Sequence, residues 1–252
     1  MGSDFKDRTG ILLGSSGLEA LEAARVAVYG LGGVGAACAM DLVRAGVGRL
    51  YVVDFDRVEE SNLNRLYFGY RENIGLAKTE AFAQAARAVN PNIEIEERRI
   101  FFSGDDAVKI IDPASVCHAD CVDSLNAKAN LIAALCAGGQ AFISSMGTAG
   151  RLEPERLRLG SIWGSRGCPL AKSLKTRLKH MAVAEDFPVV WSDEPPVKPI
   201  QRESSAETMP RGRTRLIQGS SPFVPQAAGH IMAAWIVRRI VGGAVGSAVG
   251  RP

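Results

Sequence analysis

The chain has 252 residues, of which 46% are hydrophobic and 23% charged, and its formal net charge is +3. These proportions are ordinary for a soluble globular protein, and the length permits one α/β domain with an elaboration or two small domains. So small a net charge gives no argument for a nucleic-acid partner by itself. The charge is uneven, however, because residues 151–180 carry eight Lys or Arg against two Glu. This stretch predicts either a basic face for an anionic partner or a solvated helix face.

Cysteine usage limits the class of protein further. The five cysteines are Cys38, Cys117, Cys121, Cys136 and Cys168. Their number is odd and no C-x-x-C pair occurs, which argues against a disulfide scaffold and against a four-cysteine zinc site. Reduced thiols in a cytoplasmic protein are therefore the prediction.

The N-terminal segment is polar over Met1–Gly10, so no signal peptide is expected there. Residues 5–21 are expected to form an arm that leads into a helix, with Leu18 and Leu21 on one side. Arg8 lies in this arm, ahead of the glycine-rich turn that follows.

A β-α-β unit with a glycine-rich turn comes next. Val26–Tyr29 is a short apolar run typical of a buried strand, a helix is expected over 36–45, and a second apolar run, 50–53, ends at Asp54. A glycine-rich turn joins the first strand to the helix. Gly30, Gly32 and Gly35 have G-x-G-x-x-G spacing, and Gly33 is an additional glycine. Such a turn lets backbone N–H groups approach a phosphate, and the acid ending the next strand suits a ribose. We therefore predict nucleotide binding; the alternative is a glycine-rich turn without a ligand.

Alternating strand and helix patterns continue beyond this unit. Helices are expected over 76–89, 105–111, 126–137 and 169–181, and strands over 92–102, 115–122, 140–145, 156–163 and 188–192. In the strand 92–102, Ile93, Ile95 and Ile100 are the predicted inward side chains. The fold class predicted is α/β: a Rossmann-like, mostly parallel sheet flanked by helices, with a C-terminal antiparallel elaboration.

We expect a single domain over residues 1–252, divided into three parts. Residues 1–24 form the arm and first helix, 25–150 the nucleotide-binding half and 151–252 the elaboration. A stretch rich in Pro, Ser, Arg and Glu, 193–219, is expected to be a mobile loop. Apolar residues 227–249 are interrupted by charged side chains and glycines, which predicts a docking or dimer helix and no transmembrane segment, with a peripheral membrane contact left open.

Charged and polar candidates fall near the expected carboxyl ends of the parallel strands, where open α/β sheets bind ligands. They are Asp54, Asp56, Asn62, Asn64, Arg65, Lys78, Asp120 and Asp123. Arg65 and Lys78 can neutralise triphosphate oxygens, and Asp123 can hold Mg²⁺, a hard cation that prefers oxygen ligands. The three histidines, His118, His180 and His230, are isolated in sequence and are expected in core or surface roles.

Six motifs in sequence order carry a resemblance. They are GxGGxG at 30–35, DFD at 54–56, SNLNR at 61–65, GLAK at 75–78, NP at 90–91 and DCVDS at 120–124. Together they resemble the ThiF/MoeB family, the adenylating enzymes related to ubiquitin-activating enzyme. The resemblance covers about residues 5–150 and implies activation of a carboxylate by Mg-ATP, which gives an acyl-adenylate and pyrophosphate.

The resemblance also implies roles for individual residues. Asp54 resembles the ribose-binding acid, and Asp123, within the DCVDS motif that ends at Ser124, resembles the magnesium ligand. Asn62, Arg65 and Lys78 resemble the phosphate-binding and catalytic set. Arg8 resembles an arginine that reaches into the ATP site of a partner subunit, which implies an obligatory homodimer. A monovalent cation is a further possibility.

Other segments resemble one branch of the family. They are DRTGILLGSSGLEAL near the N-terminus, GTAGRLEPERLRLGSIW and CPLAKSLKTRLK after the Rossmann half, SDEPP at 192–196 and GSSPFVPQAAGHIMA at 219–233. That branch uses ATP to cyclise the threonylcarbamoyl group of a modified adenosine in tRNA. A tRNA partner would suit the basic stretch 151–180.

Three alternatives stay open at this point. The first activates the C-terminus of a ubiquitin-like sulfur carrier; Cys168, which stands where the branch often has an acid, would then be a candidate thiol, and a sulfur-transfer protein a partner. The second is an NAD-dependent oxidoreductase that uses the same glycine turn. The third is a nucleotide-binding regulatory module without catalysis.

Overall fold

The computed structural model describes residues 4–102, 104–198, 206–208, 214–216 and 218–244. Its helices are α1 (Asp7–Ala23), α2 (Gly33–Ala45), α3 (Lys78–Val89), α4 (Leu125–Ala137), α5 (Pro169–His180) and α6 (Phe223–Ala244). Its strands are β1 (Arg25–Tyr29), β2 (Arg49–Val53), β3 (Glu94–Arg98), β4 (Cys117–Asp120), β5 (Phe142–Ser145), β6 (Leu157–Ser161), β7 (Pro188–Ser192), β8 (Ala206–Thr208) and β9 (Thr214–Leu216). Short 3-10 helices cover Glu60–Asn62, Arg71–Asn73, Gly104–Ile110 and Pro154–Arg156.

Seven strands form one sheet in the order β3-β2-β1-β4-β5-β7-β6. All neighbouring pairs are parallel except β6 and β7, which are antiparallel. The strands β4 and β5 are buried along their whole length, because helices cover both faces of the sheet. The α/β prediction, a mostly parallel sheet with a C-terminal antiparallel addition, is confirmed. Because β7 pairs directly with β5, the C-terminal strands extend the same sheet.

The two faces of the sheet carry separate hydrophobic clusters. One cluster contains side chains of α2, α3 and α6, and the other contains side chains of α4 and α5. Helix α6 packs closely on α2, since a methyl group on Gly229 would lie 2.4 Å from the carbonyl oxygen of Val34. The predicted C-terminal docking helix is therefore present, and it braces the helix that follows the glycine turn. Among the described helices, none has the length and apolar character needed to cross a bilayer.

The N-terminal arm differs from the expectation because it is helical almost from its start. Helix α1 is broken at Gly14, whose φ of 73° lies in the left-handed region that glycine tolerates. The break lets the chain fold back, so that Lys6 forms an ion pair with Glu22 at 3.5 Å. Arg8 thus lies in the first turn of α1 and not in an extended arm.

Two other expectations need correction. Strand β3 ends at Arg98, so Ile100 lies outside it and is 41% exposed, whereas Ile93 is buried as predicted. The segment 193–219 is not one continuous loop, because it contains the antiparallel strands β8 and β9 and includes the buried Glu194. Residues 199–205, 209–213 and 217 of that segment lie outside the described residues.

Candidate functional site

The glycine turn lies where β1 ends and α2 begins, at the carboxyl edge of the sheet. Gly30 has a φ of +87°, and a methyl group there would lie 3.0 Å from the carbonyl oxygen of Cys121. A methyl group on Gly35 would lie only 1.8 Å from the carbonyl oxygen of Gly30. These two glycines are therefore required by the packing of the turn itself.

Gly32 is different, because a methyl group there would meet no atom within 4 Å. It is the N-cap of α2, with no side-chain cap, and the N–H groups of the first helical turn that follows it have no partners within the helix. The helix start is thus an anion-binding position with room in front of it. This open cradle fits a nucleotide phosphate.

Asp54 ends β2 beside this turn and is only 8% exposed. Its carboxylate accepts backbone hydrogen bonds from Leu31 at 2.6 Å and from Asp56 at 2.8 Å. Burial raises the pKa of the Asp54 carboxyl, against the opposing positive charge of Lys78. Each carboxylate oxygen keeps a further lone pair, so Asp54 can still accept a hydrogen bond from a ribose hydroxyl.

Lys78 begins α3, and its ammonium group lies 2.8 Å from a carboxylate oxygen of Asp56. The Lys78 side chain is 9% exposed, whereas that of Asp56 is 46% exposed. An ammonium group has three donors, so this ion pair leaves Lys78 able to contact a phosphate as well. The structure thus brings Asp54, Asp56 and Lys78 together, as the sequence predicts.

The loop after β2 supplies the next candidates. The stem of Arg65 lies against the glycine turn, because a methyl group on Gly33 would be 3.3 Å from Arg65 Cγ. The Arg65 guanidinium donates to the Ser61 carbonyl at 2.9 Å and to Asn64 Oδ1 at 3.0 Å. Asn62 Oδ1 is buried without a hydrogen-bond partner in the described part of the chain, and such an orphaned acceptor fits a site that a ligand completes.

The candidates after β4 divide into a buried and an exposed group. Asp120 has no exposed surface and pairs with Lys128 at 2.7 Å. Asp123 and Ser124 are exposed at the start of α4, where an incoming ligand can reach them. The described residues contain no group of three or more His, Cys, Asp or Glu side chains able to hold a metal. A metal ion at Asp123 would need further oxygen ligands from a bound nucleotide or from water, as is usual for Mg²⁺.

Arg8 is the one predicted site residue that lies elsewhere. Lys6, two residues before Arg8, packs on Gly46. A methyl group on Gly46 would lie 3.1 Å from the Lys6 side chain. Gly46 precedes β2, so the start of α1 lies at the amino edge of the sheet, opposite the glycine turn. Arg8 is exposed there.

The sequence pattern of the ThiF family matches residues 7–244. The chain belongs to the ThiF family. Its similarity to two proteins named tRNA threonylcarbamoyladenosine dehydratase is extensive. The one from Bacillus subtilis (strain 168) is 29% identical over 233 residues, which are 91% of this chain and 92% of that protein. The one from Escherichia coli (strain K12) is 31% identical over 182 residues, which are 72% of this chain and 66% of that protein.

The fold of this ThiF chain is similar to a solved structure of the Escherichia coli enzyme, TcdA, in complex with ATP. The TM-score is 0.85 and the sequence identity is 25%, and the match covers 96% of each chain. Because the match extends over both halves of the chain, the likeness includes the antiparallel addition as well as the glycine turn.

Sequence reasoning missed two features of this ThiF site. Phe55 and Phe101 form an edge-to-face pair, with ring centroids 4.9 Å apart, and are 49% and 66% exposed beside Asp54. The sequence contained two signals for this pair. Phe55 stands between two aspartates, and Phe101 belongs to a Phe-Phe pair that follows a strand. Lys128 is fully buried, although a lysine within a helix normally indicates a solvated face.

Cys168 is 4% exposed and is the N-cap residue of α5. Its sulfur would lie 3.6 Å from a methyl group on Gly147, which follows β5 at the carboxyl edge. All five cysteines of this ThiF chain are free thiols. The isolated histidines take the core and surface positions expected, with His118 buried between Tyr29 and Gln140.

Proposed function

We propose that this chain is an ATP-dependent, adenylate-forming enzyme that dehydrates the threonylcarbamoyl group of a modified adenosine in tRNA. The observation that carries the proposal is the likeness, over 96% of each chain, to the Escherichia coli dehydratase in complex with ATP. The matching Bacillus subtilis protein, of similar length, has the same name. We treat residues 1–252 as one ThiF-type unit, since the C-terminal strands continue the sheet of the nucleotide-binding half.

The proposed reaction has two steps. A carboxylate oxygen of the threonylcarbamoyl group attacks the α-phosphorus of ATP, the bond to the bridging oxygen breaks, and pyrophosphate leaves. An internal nucleophile of the same group then attacks the activated carbonyl carbon, loses its proton and expels AMP. The modified adenosine therefore loses one molecule of water, and ATP becomes AMP and pyrophosphate.

This chain contributes mainly positioning and positive charge to that reaction. The start of α2 binds phosphate oxygens through backbone N–H groups, in the open space in front of Gly32. Lys78 and Arg65 neutralise charge that develops on the phosphates. The buried side-chain oxygen of Asn62, which lacks a partner in the described residues, can accept a hydrogen bond from the ligand. Asp54, held by two backbone N–H groups, accepts a hydrogen bond from the ribose.

We assign the magnesium ion to Asp123, with Ser124 beside it at the start of α4. The ion would supply charge neutralisation between phosphate oxygens. A monovalent cation stays a prediction to which we assign no residues.

We also propose that a second copy of the chain completes the site. Arg8 lies at the edge of the sheet opposite its own glycine turn, and this position supports a role in the site of another subunit. Close to it, Ile11 and Leu12 are 83% and 82% exposed, which is unusual for two adjacent aliphatic side chains. A homodimer would cover them. Because the substrate is a tRNA and the thiols are free, the location we propose is the cytoplasm.

The first experiment measures ATP turnover in Lys78→Met and Arg65→Met variants. Methionine retains an unbranched apolar side chain while it removes the charge, so we expect folded protein with turnover reduced at least about a hundredfold. Arg71→Met is the matched control, because Arg71 lies nearby, is exposed and pairs only with Glu60 in the described part of the chain. Unchanged ATP turnover in both site variants would rule out the proposed adenylation mechanism.

The second experiment identifies the substrate by mass spectrometry of nucleosides. Purified protein, ATP and tRNA that carries the threonylcarbamoyl modification should give an adenosine lighter by one water molecule. If the tRNA is unchanged while the Gly-Gly terminus of a ubiquitin-like carrier is adenylated, the carrier-protein alternative replaces our proposal. That alternative also predicts that Cys168→Ser abolishes activity, whereas cyclisation needs no enzyme thiol.

The third experiment tests the composite site. Arg8→Ala and Asp123→Ala are each expected to be inactive alone. Mixed dimers of the two variants should recover activity, because some of their sites contain both residues. If mixing gives no recovery, Arg8 does not act across the subunit boundary.

A further inference from the structure

Helix α5 carries the strongest uniform charge in the described chain. Residues 164–180 include Arg166, Lys172, Lys175, Arg177 and Lys179 and no Asp or Glu. On α5, Ala171, Leu174 and Leu178 are buried against the sheet. After Pro169, which begins the helix, the exposed positions are Lys172, Ser173, Thr176, Arg177, Lys179 and His180. The outer face of this helix is therefore polar and cationic from Lys172 to its end.

This charge is not neutralised by nearby carboxylates. Within the described residues, Lys172, Arg177 and Lys179 have no ion pair, and the Lys175 ammonium donates to the Ser165 carbonyl at 2.8 Å. Two arginines of the basic stretch 151–180, Arg151 and Arg156, behave differently. Arg151 is 2% exposed and bonds backbone carbonyls, and Arg156 pairs with Asp193 at 2.8 Å. Within the described residues, most of the exposed cations of this stretch that lack an ion pair therefore lie on α5.

The position of α5 links this face to the site of chemistry. The N-cap residue of the helix, Cys168, lies against Gly147, which follows β5. Strand β5 is two strands away from β1 in the sheet. The end of β5 therefore lies about 10 Å from the glycine turn, which follows β1. From there α5 runs for twelve residues, or about 18 Å. Its cations form a track that starts beside the site and leads away from it.

An aromatic side chain lies at the far end of this track. The Lys179 ammonium lies over the Trp163 ring, 5.7 Å from its centroid, and the indole N–H donates to the Glu185 carbonyl at 3.2 Å. A cavity of about 300 Å³ opens there, lined by Trp163, Lys179, Ala182, Val183 and Ala184. The turn that shapes it includes Ala182, which has a φ of 56°. A flat aromatic ring beside a cation suits an unstacked base.

We infer that the outer face of α5, together with Trp163, is the surface that binds the phosphate backbone of the RNA substrate. This inference rests on the proposed function and adds the location of the partner. A row of unpaired cations that ends at an aromatic platform complements a single-stranded nucleic acid. A membrane surface would need apolar side chains on the same face, and the exposed positions of α5 after its first residue, Pro169, provide none.

The test compares two triple variants with the same change in net charge. One is Lys172→Glu, Arg177→Glu, Lys179→Glu, on the track. The control is Arg44→Glu, Arg87→Glu, Lys109→Glu, three exposed positions on other elements. Binding of a tRNA that carries the modified adenosine is measured over a series of salt concentrations, and ATP binding is measured in parallel.

For the track variant we expect at least a tenfold loss of tRNA affinity at low salt. The slope of log affinity against log salt should also fall by about 0.7–0.9 for each phosphate contact removed. ATP binding should be unchanged, and the control variant should behave as the parent protein. Trp163→Ala should weaken tRNA binding about fivefold or more, with Trp163→Phe restoring most of it.

Other outcomes would overturn the inference in distinguishable ways. If the track variant and the control bind tRNA equally well, α5 is not the RNA surface, although the proposed function stands. If the parent protein neither binds nor dehydrates the tRNA, both the inference and the proposed function fail. If anionic lipid vesicles bind the parent but not the track variant, while tRNA binding is unaffected, the face serves a membrane and not RNA.

Discussion

The Lys128 ammonium and a carboxylate oxygen of Asp120 lie 2.7 Å apart, and neither side chain has any exposed surface. The same oxygen accepts a hydrogen bond from Ser144 at 2.6 Å, and the other oxygen accepts the Val122 N–H at 3.1 Å. The pair therefore lies directly beneath the loop that carries Asp123. It joins β4, β5 and α4 at the carboxyl edge of the sheet.

Substitution of Lys128 should strongly destabilise the fold, because it leaves the buried Asp120 carboxylate without a counter-ion. We expect Lys128→Met to lower the free energy of unfolding by about 3–5 kcal/mol, as measured by urea denaturation. Adding Asp120→Asn should recover part of that loss. The exposed pair Lys109–Asp106 is the control, and Lys109→Met should cost about 1 kcal/mol or less. Equal losses for the two lysines would show that burial of the Lys128 pair has no energetic consequence.

The glycine turn allows ligand binding and folding to be separated by two similar substitutions. Gly32→Ala places a methyl group in open space, so the fold should persist while ATP affinity falls as the phosphate cradle fills. Gly35→Ala places it 1.8 Å from the Gly30 carbonyl oxygen, so the protein itself should be strongly destabilised. Thermal unfolding and calorimetric ATP binding distinguish the two effects. Wild-type ATP affinity in Gly32→Ala would mean that phosphates do not occupy that space.

The contact between α2 and α6 should depend on pH. His230 and Asp41 lie 2.5 Å apart, and this hydrogen bond raises the pKa of the His230 imidazole above its ordinary value. The folded pKa then exceeds the unfolded value of about 6.5, so the stabilisation is complete below about pH 6.5 and is lost as pH rises through the folded pKa. Both side chains are partly exposed, which limits the effect to about 1 kcal/mol or less.

A double-mutant cycle of His230→Gln and Asp41→Asn measures this coupling directly. The coupling energy from unfolding curves should be larger at about pH 5.5 than at about pH 8.5. A coupling that is the same at both values would mean that the proton on His230 does not strengthen the contact.

Glu194 should be important for stability although it lies in a segment that sequence alone suggests is mobile. It is 5% exposed and accepts the N–H groups of Leu152 at 2.8 Å and Glu153 at 3.0 Å. Glu194→Ala leaves two backbone donors without their acceptor, so unfolding should become easier by about 2–4 kcal/mol. Glu155→Ala, an exposed neighbour, is the control and should change stability by less than about 0.5 kcal/mol.

The regular parts of this fold follow from the sequence because their signals are local. Apolar runs flanked by helical periodicity locate β1, β2 and α2, and Pro188–Ser192 forms a strand with the expected bounds. The glycine turn, Asp54, Asp56 and Lys78 assemble as predicted, since consecutive parallel strands end at the same edge of a sheet.

What the sequence leaves open depends on contacts between distant segments. Nothing near Arg151 in sequence indicates that its guanidinium is buried and bonded to the Glu194 carbonyl, 43 residues later. The ion pair of Lys128 likewise becomes evident only when α4 packs on the sheet. The return of α1 at Gly14, which places Arg8 at the amino edge, is a tertiary effect of the same kind.

Strand β3 is an edge strand of the sheet, and its sequence bears on whether two molecules can pair edge to edge. An outer strand leaves backbone donors and acceptors unpaired, and these invite fibril-like stacking with another molecule. Four of the five residues of β3 are charged, as the sequence EIEER shows, and three of them are acidic. Two copies of this acidic edge strand would repel each other, which disfavours pairing of the β3 edges of two molecules.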